Sequence, residues 1–229
     1  METASNLASK VMDNVPGLSS SSEPFNHTIH APLSSVHAHL NAFHVYAGEP
    51  TRAVEAHHYC AHLTDSVRQC LLYDSSSASA RLIGIEYMIT PKLYETLPQE
   101  ERRLWHSHVF EVKSGMLVMP RPNGAPEAAW AVGEDAAMRG IVELYGKVYH
   151  LWQVDRGDQV PLGEPQLMMS LTEEGAKRVP DFEEKLKARD EREGIDSKEK
   201  MERRKGIKEP EIHPDADWSW KQYLGKAQG

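Results

Sequence analysis

The stretch "AVEAHHYCAHLTDSVRQCLLYD", residues 53–74, decides how the rest of the chain is read. Two strand-forming runs flank Thr64-Asp65-Ser66, residues whose side chains bond their own backbone in turns. The pattern predicts a β-hairpin. With Asp65 at its centre, Cys60 faces Cys70 and His58 faces Leu72. Facing Cα atoms should lie about 4.5–5.5 Å apart. So short a turn cannot be a crossover, so the pair is antiparallel. Alternation along the first strand puts His58, Cys60 and His62 on one face, with His57 and Tyr59 on the other.

On the N-terminal side, "LSSVHAHLNAFHVYAG" (33–48) spaces Val36, Leu40, Phe43 and Ala47 as on a helix, with Gly48 as its stop. On the C-terminal side, "ARLIGIEYMIT" (80–90) is dense enough in Leu, Ile and Tyr to predict a central strand. Thr90-Pro91 opens a helix that restarts near Pro98. "SHVFEVKSGMLVMP" (107–120) predicts a strand, "EAAWAVGEDAAMRGIVELYG" (127–146) mainly helix, and "VYHLWQVD" (148–155) a strand again. The expected fold is α+β: a single domain with a mixed, largely antiparallel sheet and short helices over residues 31–171. A polar arm, 1–30, precedes it, and a charged tail, 172–229, follows as solvated helix or disorder, with Trp218 and Trp220 placed to tack its end down.

Among 229 residues the net charge is −8, which excludes the clustered basic surface that nucleic-acid binding requires. No run approaches the roughly 20 apolar residues of a membrane-spanning helix, so transmembrane insertion is not expected. The first 25 residues lack the apolar core of a secretory signal. Cytoplasmic residence follows as the expectation, with Cys60 and Cys70 as thiols.

Imidazole and carboxylate side chains are ligands for zinc, iron or copper, and the densest histidine groups fall on predicted strands. Same-face neighbours along one strand lie about 6.5 Å apart, so one strand contributes only one or two ligands to an ion. "WHSHVFEVKSG" (105–115) supplies the others: His106 and His108 share a face, and Glu111 follows three residues later. This resembles the cupin ligand pattern, although a regular strand would turn Glu111 away unless bulged. The expected site is therefore His58, His106, His108 and Glu111 around a divalent transition metal, with His57, His62, His150 and Asp155 as further candidates. Asp155 is placed to orient His150, as carboxylates orient metal-bound imidazoles. Two other readings compete: Cys60 as a nucleophile assisted by His58 or His62, and a set of histidines that merely bond backbone carbonyls.

"VEAHHYCAHL", "VRQCLLYDS", "ARLIGIEYMIT", "LWHSHVFEVKSGMLVMP" and "YGKVYHLWQVDRGDQVPLGEPQLMMS", in that order, are similar to the oil body-associated protein family of plants, fungi and bacteria. The resemblance spans residues 34–171. It implies a protein peripheral to lipid droplets that contributes to their size or stability, with the droplet surface or droplet proteins as partners. It carries no catalytic residues. The alternative is a metal-dependent enzyme, an oxygenase or hydrolase acting on a small or lipophilic molecule. The apolar contacts expected to reach a droplet are Trp218 and Trp220, with Leu167, Met168 and Met169 as a second candidate run.

Overall fold

The computed structural model describes residues 32–226, so the expected arm at 1–30 lies outside the described residues. Seven strands are present: β1 (Ala38–Tyr46), β2 (Glu49–Thr64), β3 (Val67–Tyr73), β4 (Leu82–Ile89), β5 (His106–Ser107), β6 (Tyr145–His150) and β7 (Gln166–Ser170). The helices are α1 (Pro91–Tyr94), α2 (Gln99–Arg102), α3 (Val109–Lys113), α4 (Glu127–Ile141), α5 (Glu173–Ala176), α6 (Phe182–Glu193), α7 (Ser197–Arg203) and α8 (Trp218–Lys226).

The hairpin has the register read from sequence, with Cys60 opposite Cys70 and His58 opposite Leu72. Its cysteines are not thiols. They form a disulfide across a Cα separation of 4.1 Å, slightly closer than the spacing expected for facing residues. The expectation of thiols rested on cellular compartment, whereas bonding geometry is fixed by register, and both side chains are buried in the main core. With the cysteines ten positions apart in sequence, the cross-link should stabilise the fold by about 2–3 kcal/mol. Thermal melts with and without reductant check this. Reduction is expected to lower Tm by roughly 5–10 °C, and an unchanged Tm would contradict it.

Outward from the hairpin, β1 pairs with β2, β3 with β4, and β7 with β1. β6 joins β4 on one side and β7 on the other. These six strands close into an antiparallel barrel, with β5 extending the β6 edge beyond β7. The sequence predicted a mixed, largely antiparallel sheet; the strands are antiparallel throughout, and they close into a barrel. Closure depends on the β4–β6 seam between residues more than 50 positions apart, which no local pattern encodes, and it leaves the barrel without free edges. Gly84 lies on that seam, where a Cβ would run into the Tyr149 carbonyl.

β1 replaces the helix expected at 33–48. Its two faces are both covered: Leu40, Ala42 and Tyr46 enter the barrel core, while Phe43 and Val45 pack against Met116, Phe182 and Trp220 outside. Burial on both faces removes the alternation that marks a half-exposed strand. The strand expected at 107–120 is also corrected. Only His106–Ser107 is extended, and α3 follows at once. By contrast, Pro91 at the start of α1, the restart after Pro98 and the helix beginning at Glu127 all fall where the sequence placed them.

The charged tail lies on the barrel, and the described residues from 35 to 226 belong to one compact unit. Arg189 on α6 and Arg204 after α7 are completely buried. Arg204 donates to the carbonyls of Val112 and Leu117 at 3.1 and 2.7 Å and approaches Glu134 at 3.2 Å. Composition alone suggested solvated helix because it counts charges and not their partners. Trp220 seals the other end, donating its indole N–H to the Ser170 carbonyl at 2.8 Å.

Candidate metal centre

Residues pointing into a closed barrel meet those of non-adjacent strands across its interior. His44 of β1, His58 of β2, Glu86 of β4 and His150 of β6 do so here, joined by His106, His108 and Glu111 from β5 and α3. Glu86 is central. Its Oε2 lies 3.3 Å from His58 Nε2, and its Oε1 lies 3.3 and 3.4 Å from the Nε2 atoms of His106 and His108. His58 Nε2 is 3.1 Å from His44 Nε2, and His44 Nδ1 is 3.2 Å from His150 Nε2. Each of these residues is at most 3% exposed.

Two of the imidazoles have their tautomer set by the backbone. His58 Nδ1 donates to the Ala56 carbonyl at 3.1 Å, and His108 Nδ1 donates to the Leu144 carbonyl at 2.8 Å. In the neutral ring the remaining Nε2 is then a lone pair. It faces a carboxylate oxygen, which is also a lone-pair acceptor. Neither Glu86 oxygen receives a hydrogen bond, nor does either nitrogen of His106. Two acceptors buried at this distance repel unless a metal ion or a proton lies between them. Ligands of one ion bonded at about 2.1 Å lie about 3.0–3.4 Å apart, which matches the observed separations.

The electrostatics agree. Burial opposes ionisation of Glu86, yet the imidazoles of His106, His108 and His58 hold its carboxyl well below the usual range. Burial likewise opposes a proton on His108, but Glu111, Glu86 and the Leu144 carbonyl outweigh it and raise its pKa to about 9. This end of the cavity attracts positive charge. At the other end, burial and the neighbouring His58 push His150 down to about 3 and His44 well below the imidazole range, so these rings are neutral, as ligands or their supports must be.

All four leading sequence candidates fall in this cavity. α3 explains how Glu111 does so: three residues apart on a helix, His108 and Glu111 share a face, and no bulge is needed. Glu111 Oε2 accepts from Ser170 Oγ at 2.6 Å, while Oε1 lies 3.6 Å from His108 Nε2. His150 is also inside. The other three further candidates are elsewhere. His57 points out of the barrel to His39, Asn41 and Glu55, and His62 is exposed and edge-on to His37. Asp155 does not orient His150; it accepts from the Tyr46 hydroxyl at 2.6 Å and pairs with Arg52. The disulfide removes Cys60 as a nucleophile.

Sequence reasoning missed Glu86 and His44. Glu86 had a signal, since it is the one acid in "LIGIEYMI" and falls in alternation with Gly84 and Met88. His44 was hidden by the helical reading of its segment. An outer cluster of Glu55, His57 and Glu193 also has ligand geometry, but Asn41 and Arg192 already satisfy Glu55, and Arg192 pairs with Glu193. It requires no ion.

Residues 30–208 match a family described as "Protein of unknown function (DUF1264)". The match runs beyond residue 171 and takes in the helices that carry Arg189 and Arg204. The chain is 48% identical over 191 residues to oil body-associated protein 1A of Zea mays, covering 82% of this chain and 75% of that protein. Oil body-associated protein 1B of Arabidopsis thaliana is 44% identical, with coverage of 82% and 74%. Oil body-associated protein 2C of the same plant is 41% identical, with coverage of 84% and 77%. No solved structure matches. With one family description spanning most of its length and relatives this similar sharing one name, the chain belongs to the oil body-associated protein family.

Proposed function

We propose that this chain is peripheral to lipid droplets, contributing to their size or stability, and that its barrel is organised around a divalent transition metal, zinc, iron or copper, bound by Glu86 and the facing histidines. The observation that carries the metal reading is the buried Glu86 carboxylate, which has no hydrogen-bond donor and faces imidazole nitrogens whose other nitrogen is committed to a backbone carbonyl. The burial of every donor favours an ion that holds the barrel together over one that meets substrate, because a catalytic ion keeps an open position. A metal-dependent oxygenase or hydrolase is the second reading. Elemental analysis of the freshly purified full chain tests the metal. At least one ion per chain is expected, with a Tm that falls on chelation. Protein that is metal-free and takes up no zinc, iron or copper would overturn it.

The droplet reading draws on the relatives' names. Among the described residues no helix is long and apolar enough to cross a membrane. The apolar contacts expected from sequence are largely covered, because Trp220, Met168 and Met169 are at most 1% exposed, Leu167 is half-buried and Trp218 lies under the Arg103 guanidinium. Leu151, Val160 and Leu162, exposed on the segment after β6, take that role in the proposal. Purified protein should float with phospholipid-coated triacylglycerol droplets and come off in an alkaline, high-salt wash. Val160→Ser with Leu162→Ser should cut the floating fraction several-fold. Binding that resists the wash would contradict a peripheral mode.

A further inference from the structure

We propose that Glu86 bridges two divalent first-row metal ions, one on each carboxylate oxygen; this rests on the metal reading above and deepens it. The donor atoms form two triads and not a single ring. His44, His58 and Glu86 have ligand atoms within 4.8 Å of one another, and so do Glu86, His106 and His108; Glu86 is the common member. Its two oxygens divide the same way, Oε2 facing His58 and Oε1 facing His106 and His108. Ligands of a single ion must lie within twice the bond length, about 4.2 Å. A carboxylate whose oxygens face separate sets of nitrogens instead holds two ions about 3.5–4 Å apart.

The first ion takes Glu86 Oε2, His58 Nε2 and His44 Nε2. The second takes Glu86 Oε1, His106 Nε2 and His108 Nε2, with Glu111 Oε1 beside His108 as a further oxygen. Each half has supports of the kind that orient metal ligands. The Ala56 and Leu144 carbonyls fix His58 and His108, and the Ser170 hydroxyl fixes Glu111. With its Nε2 on the ion, His44 would turn Nδ1–H to His150 Nε2, which makes His150 a positioning residue and not a ligand. Two carboxylates and neutral imidazoles leave the pair of ions a net positive charge within the barrel.

A metal-free pattern competes for the first half alone. Protons relayed from His150 to His44 to His58 would pair the facing nitrogens of those three rings, leaving one ion at Glu86, His106 and His108. Stoichiometry separates the two. Apo full-length chain is titrated with Zn(II), desalted and analysed for bound metal. Two ions per chain are expected, falling to one in His44→Leu and in His108→Leu, while Glu86→Gln weakens both at least tenfold. Because the variants may lose the fold, wild-type protein loaded with two equivalents of Mn(II) is also measured by electron paramagnetic resonance, where an exchange-coupled spectrum is expected. Saturation at one ion, or two uncoupled Mn(II) ions, overturns the pair while leaving a metal in the barrel. No bound ion overturns both this inference and the metal reading beneath it.

Discussion

Arg189→Leu is expected to destabilise the protein by about 3–5 kcal/mol, the range found when one member of a buried charged network is removed. The guanidinium is completely buried and makes four contacts with protein groups. It donates to Asn41 Oδ1 at 2.5 Å, the Met116 carbonyl at 3.0 Å, Ser197 Oγ at 3.1 Å and Asp190 Oδ1 at 2.8 Å. These partners belong to β1, the segment after α3, α7 and α6 itself, so one side chain joins the tail to the barrel wall. Leucine would fill part of the volume but leave two buried acceptors, Asn41 Oδ1 and the Met116 carbonyl, without this donor, each costing about 1–3 kcal/mol, while Ser197 and Asp190 keep their bond to each other. Arg189→Lys should recover little, because a single ammonium cannot reproduce the planar fork. Denaturant unfolding of the full chain checks this. A loss below about 1 kcal/mol would show that the tail is not integral to the fold.

The second large effect is expected from a single methyl group. Gly146 lies on β6 against the metal centre, and a Cβ there would fall on Glu86 Oε1 and within 2.5 Å of His106 Nε2. Both are proposed ligand atoms in a cavity where neighbouring rings leave them no alternative position. Gly146→Ala should therefore weaken metal binding at least tenfold, the scale on which disturbing the groups that hold metal ligands acts, while β6 keeps its pairing. Gly84→Ala is the contrasting variant: its methyl group meets the Tyr149 carbonyl, a backbone atom, so it should damage barrel closure itself. Metal analysis and circular dichroism of both variants separate the outcomes. Native metal content in Gly146→Ala would exclude Glu86 and His106 as ligands.

These two glycines show where the sequence was legible and where it was not. The hairpin register, the proline-started helices and the inward direction of His58 follow from turn chemistry, fixed φ and alternation, all short-range effects. Gly84 and Gly146 carry no such signal, since their role depends on what closure brings opposite them. The same holds for Arg189 and Arg204, which read as solvated charge until their acceptors on the barrel wall are known. His44 illustrates a third limit. Its strand is buried on both faces, so the spacing of its apolar residues fits a helix as well as it fits extended chain.

The disulfide of the hairpin has a further consequence. His57 and His58 are consecutive, one facing out and one facing in, so slipping β2 by one residue would replace an inward histidine with an inward histidine. Side-chain polarity alone would resist that error weakly, because the exchanged residues are the same. The sulfur bridge resists it absolutely: Cys60 can reach Cys70 only when His58, and not His57, faces Glu86. In a chain with neighbouring interchangeable ligands, the bridge acts as a proofreading device that admits one alignment.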